Sequence, residues 1–209
     1  IRDSLYHGEF PSVPDKILGH EFSGIVVDSG ETDFAEGARV TCDPNTWCGT
    51  CNQCQRGRVN LCPNNLATGI HRDGGFAEFC VFPASKAVVL PNEINPLYGA
   101  FCEPLACTLH GMDIGAAREG ETVLVIGGGV IGLMAVQLAK LAGAEVLLLT
   151  RSAEKQALGL NIGADYAVST GDAVRNIWPE GADLVVECAG VSATCLLYTS
   201  DAADDLLCV

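Results

Sequence analysis

The sequence predicts a chain in two parts: a β-rich domain, then an α/β domain built on a parallel sheet. Three observations carry this. Turn residues recur about every ten positions through residues 1–85 and separate short β-type runs. From residue 121 the rhythm changes to strand, helix, strand, helix, which a parallel sheet with right-handed crossovers requires. A cysteine cluster in the first part and a glycine-rich turn in the second mark a special site in each.

Composition narrows the function classes. A chain of 209 residues holds one or two domains, and 48% hydrophobic with 18% charged residues describes a packed protein rather than a disordered one. Twelve Lys+Arg against 26 Asp+Glu give a net charge of −14, which argues against nucleic-acid or anionic-membrane partners. The longest apolar run, 123–136, falls short of the roughly 20 residues that span a bilayer. No charged-then-apolar leader follows Ile1. Of the 11 cysteines, four cluster between Cys48 and Cys62, a pattern of metal binding in a reducing compartment rather than of a disulfide framework; a cytoplasmic location is expected.

Taken in order, residues 22–27 and 79–82 read as strands of the β-rich zone. Residues 86–118 form a connecting segment, with helical character over 97–112. The third zone, 119–194, starts with a β-branched strand at 122–126. Then Val130, Ile131, Met134, Leu138 and Leu141 recur at helical spacing until Gly143 stops the helix. Strand 145–150 follows. Ser152 is placed as the N-cap of a helix over 153–162, which Gly163 ends. Residues 166–168 and 184–188 read as further strands. Residues 195–209, CLLYTSDAADDLLCV, continue none of this rhythm. They resemble the read-through translation of a sequencing adapter; the alternative is an amphipathic C-terminal helix.

Cys48, Cys51, Cys54 and Cys62 are spaced C-x2-C-x2-C-x7-C. Thiolates two residues apart on a tight turn can share one soft ion, and a fourth returning from a loop completes a tetrahedron. All positions being filled, the site reads as a structural zinc. An iron–sulfur cluster also uses such spacing, although its last gap is usually shorter, and unliganded thiols remain the simplest alternative.

Gly127-x-Gly129-x-x-Gly132, with Val130 and Ile131 opening the helix, lies between a strand and a helix. There the first glycine permits a tight turn, the second admits a pyrophosphate and the third lets helix and strand pack closely. A glycine-rich packing turn is the alternative. At the end of the second strand stand Thr150, Arg151 and Ser152, where an acid would accept hydrogen bonds from the ribose of NAD. An Arg with neighbouring hydroxyls suits a 2′-phosphate instead, so NADP is favoured over NAD. The remaining residues get plainer expectations. His7 and His71 are placed in surface or loop positions, and His110 as packed on its helix. Cys42, Cys80 and Cys188 are expected to be buried, and Trp47 to cover the metal loop.

Five motifs together resemble the zinc-containing medium-chain dehydrogenase/reductase family, on its sorbitol, threonine and butanediol dehydrogenase side. They are Gly19-His20-Glu21-Phe22-Ser23-Gly24, the four-cysteine loop, Asp73-Gly74-Gly75-Phe76-Ala77-Glu78-Phe79, Cys102-Glu103-Pro104-Leu105-Ala106, and the glycine turn. The resemblance implies a GroES-like catalytic domain followed by a Rossmann cofactor domain, here partial and truncated at both ends. It implies a catalytic zinc held by His20, Glu21 and Glu103. The family's first catalytic cysteine lies upstream of that histidine and would fall at or before residue 1, since no cysteine precedes Cys42. It further implies hydride transfer between a small-molecule alcohol and a nicotinamide cofactor, and a homo-oligomer; a fragment lacking these parts is expected to be inactive. The competing class is a non-catalytic nucleotide-binding relative of the same fold.

Overall fold

The computed structural model describes residues 15–191 and Thr194, so residues 1–14 (with His7) and the tail 195–209 lie outside the described residues. Packing divides the chain into two compact units between Glu103 and Pro104.

The described residues of the first unit hold five short strands: β1 (Ser23–Ile25), β2 (Arg39–Cys42), β3 (Asn45–Thr46), β4 (Leu66–Ala67) and β5 (Ala87–Val89). Strands β1, β2 and β5 form an antiparallel sheet, with Ser23 opposite Thr41 and Val40 opposite Val89. Strands β3 and β4 form a separate ribbon from which the cysteine loop projects. That loop contains α1 (Asn52–Gln55) and a 3₁₀ turn at Val59–Leu61. Helix α2 (Pro96–Gly99) starts where Asn95 accepts a hydrogen bond from the Leu97 amide and Pro96 presets the first turn. It seats closely on the sheet: a Cβ on Gly99 would lie 2.4 Å from Leu90 Cδ1 and 2.7 Å from Ser23 Cβ.

The expected strand at 79–82 does not form; these residues are extended loop, with Phe79 and Val81 exposed. A short β-type run makes a strand only where a neighbour completes the ladder, and none of the described strands pairs there.

In the second unit, β6 (Thr122–Ile126), β7 (Glu145–Leu149), β8 (Tyr166–Val168) and β9 (Leu184–Glu187) form a parallel sheet in the order β8-β7-β6-β9. Helix α3 (Cys102–Gly115) enters this unit; α4 (Val130–Leu141), α5 (Ala153–Asn161) and α6 (Gly171–Ile177) connect the strands. Both sheet faces are buried. Val123, Val125, Val146 and Leu148 pack with Ala135, Val136, Ala139 and Met112. The alternate residues Leu124, Ile126, Leu147 and Leu149 pack with Val174 and Trp178. Burial on both sides is why these strands read as unbroken apolar runs. Helix α6 has no counterpart in the sequence reading: seven residues are too few for a periodic pattern, and its clearest signal is the cap, Thr170 Oγ1 accepting from the Ala173 amide. His110, expected to be packed, is exposed on α3. Cys42 is buried in β2, whereas Cys80 and Cys188 are half-buried outside strands.

Candidate metal centres and nucleotide turn

The four cysteines of the β3–β4 loop converge. Cys62 Sγ lies 3.6 Å from Cys48 Sγ and 3.9 Å from Cys51 Sγ. A tetrahedron with metal–sulfur bonds of about 2.3 Å has edges of about 3.8 Å, so these separations fit one shared ion. They are too long for disulfides and too short for a cubane cluster, which spreads its thiolates over separate irons. Short helix α1 sets the register: Cys51 caps it, its sulfur accepting from the Cys54 amide. Hydrogen bonds from the Thr50 and Cys51 amides, then from the Thr50 hydroxyl and Asn64, lower the Cys48 thiol to about 5. Desolvation and the neighbouring Cys51 sulfur push Cys54 up to about 12. Thiols this close repel one another when ionised, a condition a divalent cation relieves.

A second cluster gathers His20, Glu21 and Glu103, whose ligand atoms all lie within 4.8 Å of one another. All three belong to the first unit. The His20 and Glu21 side chains are 15% and 47% exposed, so the group is partly open to solvent. The chain before His20 is held by a backbone clamp. Gly74 N donates to Ile17 O, Phe76 N to Leu18 O and Gly75 N to Gly19 O, at 2.8, 3.0 and 2.8 Å, while the Ile17 amide donates to Asp73 Oδ1. The clamp needs glycines on both sides. A Cβ on Gly69 or on Gly74 would stand 2.2 Å from Gly19 O, and Gly19 itself has φ of +100°. The Asp73-Gly74-Gly75 stretch therefore sets the direction in which the His20 backbone presents its ring. One imidazole nitrogen and two carboxylates form a donor set suited to zinc, and three protein ligands leave a position for substrate or water.

In the second unit the glycine turn follows β6 as expected. Gly127 has φ of +107° and its amide donates to Leu149 O at 2.9 Å. A Cβ on Gly132 would lie 1.8 Å from Gly127 O, so helix α4 can approach only as glycine there. At Gly129, the N-cap of α4, a Cβ would meet nothing within 4 Å. The space before the helix amides is thus open, as an anion approaching the positive helix end needs. Thr150 follows β7, its amide on Val168 O and its carbonyl accepting from Gln156 Nε2; Arg151 is exposed; Ser152 caps α5 through the Lys155 amide. The strand order changes direction between β6 and β9, the position at which open α/β sheets bind ligands. The β9 side of that crevice ends in Glu187, whose carboxylate accepts from the Ala189 and Gly190 amides and the Thr194 hydroxyl at 2.9, 3.1 and 2.8 Å. Glu187 was not singled out from the sequence; the only hint there is an acid closing a strand before glycine.

Comparison with known proteins agrees with this layout. The family profile for the alcohol dehydrogenase GroES-like domain matches residues 2–92, and that for zinc-binding dehydrogenase matches residues 130–202. A zinc-binding dehydrogenase of Sinorhizobium meliloti, solved with NADP bound, is 54% identical with a TM-score of 0.88, over 92% of this chain and 59% of that one. The chain belongs to the zinc-containing medium-chain dehydrogenase/reductase family.

Its relatives in this family include the sorbitol dehydrogenase of Halalkalibacterium halodurans, 36% identical over 88% of this chain and 57% of that protein. Galactitol-1-phosphate dehydrogenase of Escherichia coli is 32% identical with a TM-score of 0.83, over 94% of this chain and 60% of the other. The chain thus spans little more than half the length of such medium-chain dehydrogenases. The GroES-like and Rossmann parts expected from the resemblance correspond to the two units. Within them, the sequence-derived residues fall into three groupings: the four thiols, the His20–Glu21–Glu103 cluster, and the glycine turn with the end of β7.

Proposed function

We propose that this chain is the metal- and cofactor-holding part of a zinc-dependent dehydrogenase that oxidises a polyol, diol or secondary alcohol with NADP. The observation that carries the reading is the three-ligand cluster of His20, Glu21 and Glu103, within 4.8 Å, on a chain that also bears the strand–glycine turn–helix unit. Cys48, Cys51, Cys54 and Cys62 hold a structural zinc; His20, Glu21 and Glu103 hold a second. Zinc held at the open site supplies Lewis acidity toward an alcohol oxygen, and a nicotinamide supplies a hydride acceptor.

The chain's own groups do the rest. Gly127, Gly129, Val130, Ile131 and Gly132 receive the diphosphate at the start of α4. Thr150, Arg151 and Ser152 recognise a 2′-phosphate, with no carboxylate there to repel it. Two carboxylates beside one histidine bias the cluster toward oxygen-rich substrates such as vicinal diols. The NADP bound to the Sinorhizobium relative supports the cofactor preference. Among the described cysteines all are free thiols, which supports a reducing, cytoplasmic setting; a homo-oligomer belongs to the same reading. No helix among the described residues is long and apolar enough to cross a membrane.

The test is a steady-state survey of the intact protein. Reduction of NADP by polyols or 2,3-diols, with higher kcat/KM than for NAD or for simple primary alcohols, is expected. Preference for NAD overturns the role of Arg151. Preference for a simple primary alcohol overturns the substrate class, and zinc-loaded protein that reduces neither cofactor overturns the dehydrogenase.

A further inference from the structure

Lys86 is the one charged side chain among the buried residues of the described chain, and none of the groupings above uses it. It ends the 3₁₀ turn Ala84–Lys86, just before β5. Its side chain is only 8% exposed, and its ammonium makes two contacts. Nζ lies 2.7 Å from Asp43 Oδ2 and 3.3 Å from the centroid of the Trp47 ring. Burying an ammonium is costly unless it is paired, so a buried lysine calls for a reason.

The contacts lead to one place. Asp43 uses its other oxygen, Oδ1, to accept from the Asn45 amide, which begins β3. The Asp43 amide donates to the Lys86 carbonyl at 2.9 Å, so the two residues are tied through backbone and side chain together. Trp47 directly precedes Cys48, whose sulfur sits 3.6 Å from that of Cys62. The returning leg is tied to the same strand: Asn65 Nδ2 donates to Asn45 Oδ1 and the Thr68 amide to the Pro44 carbonyl. One ammonium therefore fixes both the start of the outgoing leg and the ring beside the first thiol.

We propose that Lys86 is a positioning residue for the four-cysteine metal site, holding Asp43 and Trp47 so that Cys48 meets the other three sulfurs. The inference rests on the reading of that site as a zinc site. Trp47 then serves as a strut between the lobe and the sheet rather than as a cover over the metal.

The experiment measures zinc release from the zinc-loaded protein into excess chelator, with an optical indicator, in a Trp178→Phe background that leaves Trp47 as the sole tryptophan. Lys86→Met, which keeps the volume and removes the charge, is expected to speed release from the thiolate site by about tenfold or more and to shift Trp47 emission. Lys86→Arg, which can still pair with Asp43 and stack on Trp47, should stay within about threefold of wild type. Release from the His20 site should not change in either. If Lys86→Met unfolds, Trp47→Leu keeps the ion pair and should still speed release by about fivefold. Wild-type rates in Lys86→Met, or in Trp47→Leu where the first cannot be made, overturn the proposal. Equal acceleration of both zinc sites also overturns it, since that is general destabilisation. A wild-type protein without thiolate-bound metal overturns the zinc reading itself, a result separable from a zinc-loaded protein that is indifferent to Lys86.

Discussion

In the second unit every strand residue over 123–126 and 146–149 is 7% exposed or less, while in the first unit β5 leaves Val88 and Val89 52% and 57% exposed. Among the described residues, the two clusters of buried apolar side chains belong to the second unit. Among its described residues the first unit buries Val40, Ala67, Ile70 and Leu90, and adds backbone clamps, a ribbon of two-residue strands, a half-buried Lys86–Asp43 ion pair and two side-chain groups that could hold metal. Apolar burial holds the sheet without help from ligands, whereas thiols and carboxylates crowded together repel one another until a cation joins them. On the proposed reading, the order of the second unit is intrinsic and that of the thiolate loop in the first depends on metal.

Removing metal should break this contrast most strongly, because a structural zinc contributes on the order of 10 kcal/mol to the folding of a small metal-built region. After chelation, hydrogen exchange should lose protection over 43–67 and keep it over 122–149. In the chelated protein Cys48, Cys51, Cys54 and Cys62, on the released loop, should alkylate first, and Cys42 and Cys188, raised to about 12 and about 11 chiefly by burial, should lag. Equal loss of protection in both units would erase the distinction.

A core truncation should do the reverse. Leu148→Ala removes a side chain that packs against Gly159, and should cost the second unit about 2–5 kcal/mol in denaturant melts while zinc content is unchanged. Next, Gly74→Ala puts a methyl 2.2 Å from Gly19 O, and overpacking of this kind costs about 1–3 kcal/mol. The measurable outcome is loss of the His20-bound metal with the thiolate metal retained. Arg151→Ala should raise KM for NADP about tenfold and leave KM for NAD nearly unchanged, the loss of one charge-assisted phosphate contact.

Acid should have the smallest effect. Burial raises the Asp165 carboxyl, but hydrogen bonds from Lys140 Nζ and the Val146 amide outweigh it and hold it below the usual carboxylate range. Asp183 is lowered likewise by the Thr122 amide and hydroxyl. Depressed carboxylates stabilise fully above their unfolded value of about 3.9, and that contribution is lost as pH falls through the lower folded value. Melts of the second unit should weaken below about pH 4, less steeply in Asp165→Asn.

The parallel sheet was legible because burial on both faces writes β-branched runs and glycine stops directly into the sequence. Strand β8 falls where it was expected, and the Ser152 cap and the Gly127–Gly129–Gly132 turn sit in the expected places. The first unit was less legible. Its organisation lies in contacts between residues far apart in the chain, such as Gly74 against Gly19 and Lys86 against Asp43, which no local period encodes. Residues 79–82 misled because a short apolar run reports β propensity, not a ladder partner. His20 and Glu103 stand out as ligands only through resemblance, being 83 positions apart (103 − 20) with nothing local to join them. The cysteine loop was the exception there, since its ligands are close in sequence.

The most direct test of the account is zinc content per chain in the intact protein, read beside Cys48→Ser and His20→Ala. Two sites predict two ions in the wild type and one in each variant, with the ion left in His20→Ala leaving into chelator more slowly than the ion left in Cys48→Ser. Two ions retained in His20→Ala, or one ion in the wild type that Cys48→Ser alone removes, would contradict a catalytic metal at His20, Glu21 and Glu103.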